Sequence, residues 1–223
     1  MTLPAPASSS FITPPTNITS PNLVLTPLTA TDVPELYELA TLDDHAVYKW
    51  LPYGPFATQA EYADFVDRSF IQDRAVQSFV IWEKATNKRI GHIALMTMVP
   101  DNRRLEIGHI WLAPLPTLRR RGLASEAAYL MIRLSFEMAE QGIGFVVQRC
   151  EWKAHHDNIP SHKTAEGLGF VREGTLRKHM FVRGAVRNTV YFSITDDEWP
   201  AVREKNTLRF GFVDEKPEAA HAS

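Results

Sequence analysis

Residues 110–128 read IWLAPLPTLRRRGLASEAA, and the passage from strand to loop to helix inside this stretch decides the fold. Ile110–Leu112 close an apolar strand that ends at Ala113-Pro114. Arg119, Arg120, Arg121, Gly122, Leu123 and Ala124 then form a short loop. A long amphipathic helix is expected from Arg121 to about Gln141, because Leu123, Ala127, Leu130, Met131, Leu134 and Met138 recur at helical spacing. Such a junction presents free backbone N–H groups at the positive end of a helix dipole, and small residues let a phosphate come close to them. Three arginines add bidentate donors for phosphate oxygens. A helix start flanked by solvated arginines has the same sequence, so the loop alone does not separate the two readings.

Outward from this junction the pattern stays regular. Upstream, Gln77–Lys84, Arg89–Met98 and Arg104–Leu112 read as strands joined by turns at Thr86-Asn87-Lys88 and Asp101-Asn102, an antiparallel meander. Before them come a short strand (Leu23–Leu28) and a helix capped near Thr31-Asp32 that runs to about Ala40. A second helical region, the aromatic loop Trp50–Phe56 and a helix capped by Thr58 follow, with Glu61 completing a capping box. Downstream, a strand (Phe145–Lys153), a helix (Ser161–Leu168) and a strand pair (Phe170–Val182, Arg187–Thr195) are expected. The whole is a mixed α/β (α+β) fold: a mostly antiparallel central sheet flanked by helices.

A chain of 223 residues suits one domain. We divide it into a Pro/Ser/Thr-rich tail without charges (residues 1–22), the domain (23–200) and a C-terminal extension (201–223). Lys and Arg number 24 against 26 Asp and Glu, so a generally basic nucleic-acid binder is excluded. The single cysteine, Cys150, cannot make an internal disulfide, which points to a reducing, cytoplasmic setting. No apolar run approaches the ~18–20 residues that span a bilayer, and the N-terminus lacks the basic start of a secretory signal. Monomer and homodimer are both compatible with the sequence.

A second block, from Cys150, reads CEWKAHHDNIPSHKTAEGLGFVREGTLRKHM. Together with Glu106-Ile107-Gly108, the Arg119-x-x-Gly122-x-Ala124 loop and Ser125-Glu126-Ala127, it resembles the GNAT superfamily of acyl-CoA-dependent N-acyltransferases. Asn158 with Ser161, Gly169-Phe170, Glu173-Gly174, Arg187-Asn188-Thr189 and Glu198-Trp199 continue the likeness, which is greatest to the RimJ/RimL-type branch. It covers about Leu23 to Pro200.

That resemblance implies a central sheet splayed between two parallel strands, with acetyl-CoA bound in the splay as co-substrate. Backbone groups at the end of the Glu106–Leu112 strand, at Trp111 and Leu112, would pair with the pantetheine arm. Residues Arg119–Ala124 would hold the pyrophosphate, and Asn158 would fix the pantetheine. The acceptor would be a primary amine, on a small molecule or at a peptide N-terminus, attacking the thioester directly.

Attack by an amine needs a proton acceptor and, usefully, an acid for the departing thiolate. Glu106 is one candidate base; a strand-edge charge is its plain reading. His109 lies three residues on, so strand alternation places the two side chains on opposite sides of the sheet. His179 stands near a position where some ribosomal-protein acetyltransferases carry a carboxylate. Ser161 is the candidate hydroxyl near the sulfur, or else an ordinary helix cap. Many members carry a tyrosine acid seven residues after the asparagine; here Ala165 stands there. His155-His156-Asp157 are adjacent in one loop and no metal is expected. The Trp50–Phe56 loop reads as core packing or as a wall of the acceptor pocket. The expected activity is amine N-acetylation; the alternative is a non-catalytic CoA-binding or regulatory protein on the same fold.

Overall fold

The structure, a computed structural model, describes residues 17–137 and 145–212. Alternating apolar residues build strands β1 (Ile18–Thr19), β2 (Leu23–Pro27), β3 (Gln77–Glu83), β4 (Lys88–Val99) and β5 (Arg104–Leu112). Strands β6 (Arg149–His155), β7 (Val171–Val182) and β8 (Ala185–Thr195) complete one sheet in the order β1-β2-β3-β4-β5-β6-β8-β7. Among the described strands only β5 and β6 run parallel; every other neighbouring pair is antiparallel. The meander, the final strand pair and the mixed α/β fold are therefore as expected.

Helices α1 (Val33–His45) and α2 (Gln59–Val66) cover one face of the sheet, and α3 (Leu123–Glu137), α4 (Ile159–Leu168) and α5 (Trp199–Phe210) the other. Period-two alternation explains the division. Phe79 and Ile81 enter the aliphatic core beneath α3, whereas Val80 between them joins Leu36, Tyr48, Tyr62 and Phe70 on the opposite face. None of the described helices is long and apolar enough to cross a membrane.

Several boundaries differ from the sequence reading. Helix α3 begins at Leu123, because Arg120 and Gly122 hold left-handed backbone (φ 60° and 73°) that interrupts a helix. Its expected end near Gln141 lies outside the described residues. Strand β6 starts at Arg149, where the ladder with Thr195 of β8 begins, and runs on to His155. Thr58 accepts from the Glu61 N–H (3.2 Å), but the Glu61 carboxylate takes the Ala57 N–H (3.0 Å), so only half a capping box forms there. The division expected after residue 200 falls inside α5, whose Trp199, Val202 and Asn206 are buried. Near the other boundary, Ile18 is buried, and the backbone and amide nitrogens of Asn22 each donate to the buried Glu126 carboxylate (3.0 Å).

Candidate functional site

Two irregularities in β5 create the site. The first is a bulge: Ala94 of β4 faces Gly108 and His92 faces Trp111, so His109 and Ile110 together oppose Ile93 alone. Within this bulge His109 takes left-handed backbone (φ 53°). The extra residue resets the alternation, and the His109 ring packs on Tyr53 (5.3 Å) and Phe70 (5.0 Å). That is the face Glu106 also occupies, opposite its neighbours Leu105 and Ile107 in the α3 core. The expectation that Glu106 and His109 point to opposite sides is thus corrected. Trp111 follows His109 into the aromatic core, so its indole is occupied by packing and what it offers a ligand is backbone.

The second irregularity is the splay. Pairing of β5 with β6 stops at Ile107↔Trp152, while β5 continues to Leu112 and β6 to His155. The edge of residues 108–112 that would face β6 has no strand partner among the described residues. At about 3.3 Å per residue, Gly108 to Leu112 spans roughly 13 Å, an edge suited to an extended chain with amide groups.

A cavity of about 310 Å³ opens at the start of the splay, lined among others by Glu106, His109, Asn158, Ser161, His179 and Arg187. All three expected catalytic residues therefore meet in one space. The Glu106 carboxylate is buried and accepts from Lys153 Nζ (2.8 Å) and Thr97 Oγ1 (3.2 Å). Burial raises its pKa above the ordinary carboxylate value, against the lowering influence of Lys153 and Thr97. Lys153 also lies 3.2 Å from Glu151; burial opposes its charge, yet Glu106 and Glu151 together leave its pKa raised. Lys153 was not anticipated. The signal was available, since Glu151 and Lys153 at spacing two share one face of a strand.

Ser161 is the third residue of α4, and its hydroxyl accepts from Trp152 Nε1 (2.9 Å). The cap is Asn158, whose Oδ1 accepts from Ser161 N (3.3 Å); its side-chain NH₂ is what a pantetheine amide could still use. Ala165 is buried in the α3 core, so no acid stands in the usual tyrosine position. His179 lies across the cavity, beside a second bulge where Lys178 has φ 53°. Its Nδ1 is 3.1 Å from Thr189 Oγ1 and its Nε2 is 3.3 Å from the Tyr191 hydroxyl. Burial depresses the pKa values of His109 and His92 to about 4 and about 3, leaving both rings neutral near pH 7.

The arginine loop follows at the far end of β5. Arg121 is ion-paired with buried Glu83, which ties it to β3. A hydrogen bond from Thr86 and the Arg121 guanidinium hold the Glu83 carboxyl below the usual range. Arg119 sits 3.9 Å from exposed Asp43. A Cβ built on Gly122 would meet nothing within 4 Å, so the space over the loop is open. The first turn of α3 then leaves backbone N–H groups without helical partners beside that space. His155, His156 and Asp157 bring potential ligand atoms within 4.8 Å of one another, all from one turn.

Residues 22–171 match the acetyltransferase (GNAT) domain family. The chain is 25% identical, over 75% of its length and 88% of the relative's, to YdaF of Bacillus subtilis (strain 168), provisionally named a ribosomal N-acetyltransferase. A crystal structure of a GCN5-related N-acetyltransferase from Brucella melitensis superposes with a TM-score of 0.76 at 32% identity, covering 89% of each chain. The ribosomal L7/L12 α-N-protein acetyltransferase RimL, solved with coenzyme A, shares the fold at 19% identity (TM-score 0.69, covering 82% of this chain and 99% of that one).

Proposed function

Because the chain belongs to the GNAT acetyltransferase family, on its RimJ/RimL-type side, and is an acetyl-CoA-dependent acyltransferase, we propose that it acetylates a primary amine by direct attack in a ternary complex. The observation that carries this reading is the junction of splay and cavity. The partnerless edge of β5 leads straight into the space shared by Glu106, Ser161 and His179.

Acetyl-CoA supplies the acetyl thioester. We assign its pyrophosphate to Arg119–Ala124, with Gly122 giving backbone access, and its pantetheine arm to the backbone of Trp111 and Leu112 and to Asn158. In the cavity the amine nitrogen forms its bond to the thioester carbonyl carbon as the carbon–sulfur bond breaks. The amine proton passes to Glu106, directly or through a water. Burial makes this carboxylate a stronger base than one in water, while Lys153 keeps it ionised beforehand. The Trp152 N–H occupies one lone pair of Ser161 Oγ and leaves the hydroxyl proton to be given to the thiolate. Cys150 supports direct attack over a thiol-bound acyl intermediate, since burial pushes the chain's one thiol far above its ordinary range. The acceptor is a small molecule or a peptide N-terminus, and the cytoplasm is the setting we assign.

The test is CoA release with an amine panel, followed by product mass. Glu106→Gln is expected to lower kcat by roughly 10²–10⁴-fold at neutral pH, and the loss should shrink as pH approaches the amine's own pKa. Near-normal turnover in Glu106→Gln together with its loss in His179→Ala would move the base to His179. For the loop, Gly122→Asn keeps left-handed backbone while adding a side chain. It is expected to raise the CoA dissociation constant at least tenfold, about 1.4 kcal/mol. Unchanged affinity in the folded variant would remove the loop from the cofactor site.

A further inference from the structure

Beyond the acetyl-transfer centre, one charged side chain of the cavity has no ion-pair contact among the described residues. Arg187 is only 9% exposed, yet it forms no ion pair with a carboxylate among the described residues. Its Nε–H is buried with no hydrogen-bond partner, and its Nη1 makes a single long contact, 3.5 Å, to the Trp50 carbonyl. A guanidinium desolvated to this degree normally has an acidic partner, because the cost of burial is otherwise unreturned. Glu106, the one carboxylate among the described residues that line the same cavity, is already held by Lys153 and Thr97.

Arg187 also lines a second cavity of about 260 Å³, which shares Trp50, Leu51 and His155 with the first. That second space is bordered by Lys49, Arg183 and Arg187 and, among the described residues, by no Asp or Glu. Arg183 spends its guanidinium on the backbone carbonyls of Tyr48, Lys49, Leu51 and Gly54, so it is structural. Arg187 is the planar donor fork left over at the boundary of the two spaces. Burial holds it below the usual arginine range, an effect that Glu106 only partly offsets.

We propose that the acceptor is an amine carrying an oxyanion, a carboxylate or a phosphate, and that Arg187 binds this group while the amine faces Glu106. The inference rests on the acetyl-transfer reading and narrows its substrate class. An oxyanion gives Arg187 the charge-assisted, bidentate partner that the fold withholds. A neutral or dicationic amine leaves it unpaired, so the site discriminates by what a wrong acceptor fails to satisfy.

Matched acceptor pairs test this: 3-aminopropanoate against propylamine, phosphoethanolamine against ethanolamine, and, as C-terminal amides, seryl-aspartate against seryl-asparagine. Each pair is compared by kcat/KM with acetyl-CoA and, independently of turnover, by calorimetric binding to the CoA-loaded enzyme. In at least one pair the anionic member is expected to lead by about tenfold or more, and the pair that shows it identifies the source of the oxyanion. In Arg187→Gln that ratio should collapse toward one. Arg187→Lys, which keeps the charge and loses the fork, should fall between and serves if Arg187→Gln does not fold. Ratios at or below one in all three pairs of the wild type, by both readouts, overturn the proposal, as does an undiminished ratio in either folded variant. The two readings fail separately. Calorimetric preference for the anions without CoA release upholds oxyanion binding and sinks the transfer mechanism, whereas transfer to neutral amines without preference does the reverse.

Discussion

The two faces of the sheet are built to different standards. Beneath α3 the buried polar groups are nearly all satisfied. The Tyr129 hydroxyl meets Thr207 Oγ1 (2.9 Å) and the Arg203 carbonyl (3.1 Å), Ser135 donates to the Met131 carbonyl (2.7 Å), and Glu126 holds Asn22. Asn206 Oδ1 is an exception among the described residues. Beneath α1 and α2 the packing is aromatic, and the Tyr48 and Tyr53 hydroxyls and His92 Nε2 are buried without partners. The aliphatic face is a foundation. The aromatic face leaves these groups unsatisfied, and the candidate base stands on that side.

Truncating the foundation should have the largest effect. Leu134 is fully buried in α3, so Leu134→Ala is expected to cost about 2–5 kcal/mol in denaturant unfolding. A smaller loss would mean that this face relaxes more than its close packing implies.

Acidification probes the other face. His109 has a folded pKa of about 4, below the ordinary 6.5, so the unfolded chain binds the extra proton between these values. Its contribution is complete above pH 6.5 and is lost as pH falls toward 4, at up to about 1.4 kcal/mol per pH unit. His109→Asn, which tolerates the left-handed backbone, should flatten the decline in stability between pH 6.5 and 5. An unaltered slope would show that the ring titrates freely.

The smallest effect is the sharpest comparison. Tyr129→Phe removes a satisfied hydroxyl and should cost about 0.5–1.5 kcal/mol, whereas Tyr53→Phe removes an unsatisfied one and should be neutral or stabilising. Equal costs at the two positions would erase the distinction between the faces.

The same contrast explains what the sequence could convey. Regular alternation marked Arg104–Leu112 to the residue, and the ordered motifs brought Glu106, Ser161 and His179 to one cavity. The bulge at His109 was not legible, because a single extra residue leaves composition and period almost unchanged while reversing which face the next side chains take. Arg187 looked like a strand residue of a motif; that it lacks a counter-ion is a property of three-dimensional neighbours. Helix α5 could have been found, since Trp199, Val202 and Asn206 recur at helical spacing behind Pro200 near its start.

Arg183 has a consequence of another kind. Its bonds reach back over 129 to 135 residues to close the wall formed by Tyr48–Gly54. Contacts this distant in sequence are paid in chain entropy and become favourable only once the intervening strands have fixed the ends near each other. The wall that Tyr48–Gly54 forms is therefore expected to close late in folding. A partly folded chain would then possess the arginine loop, local in sequence and seated between β5 and α3, before the proposed place for an amine exists.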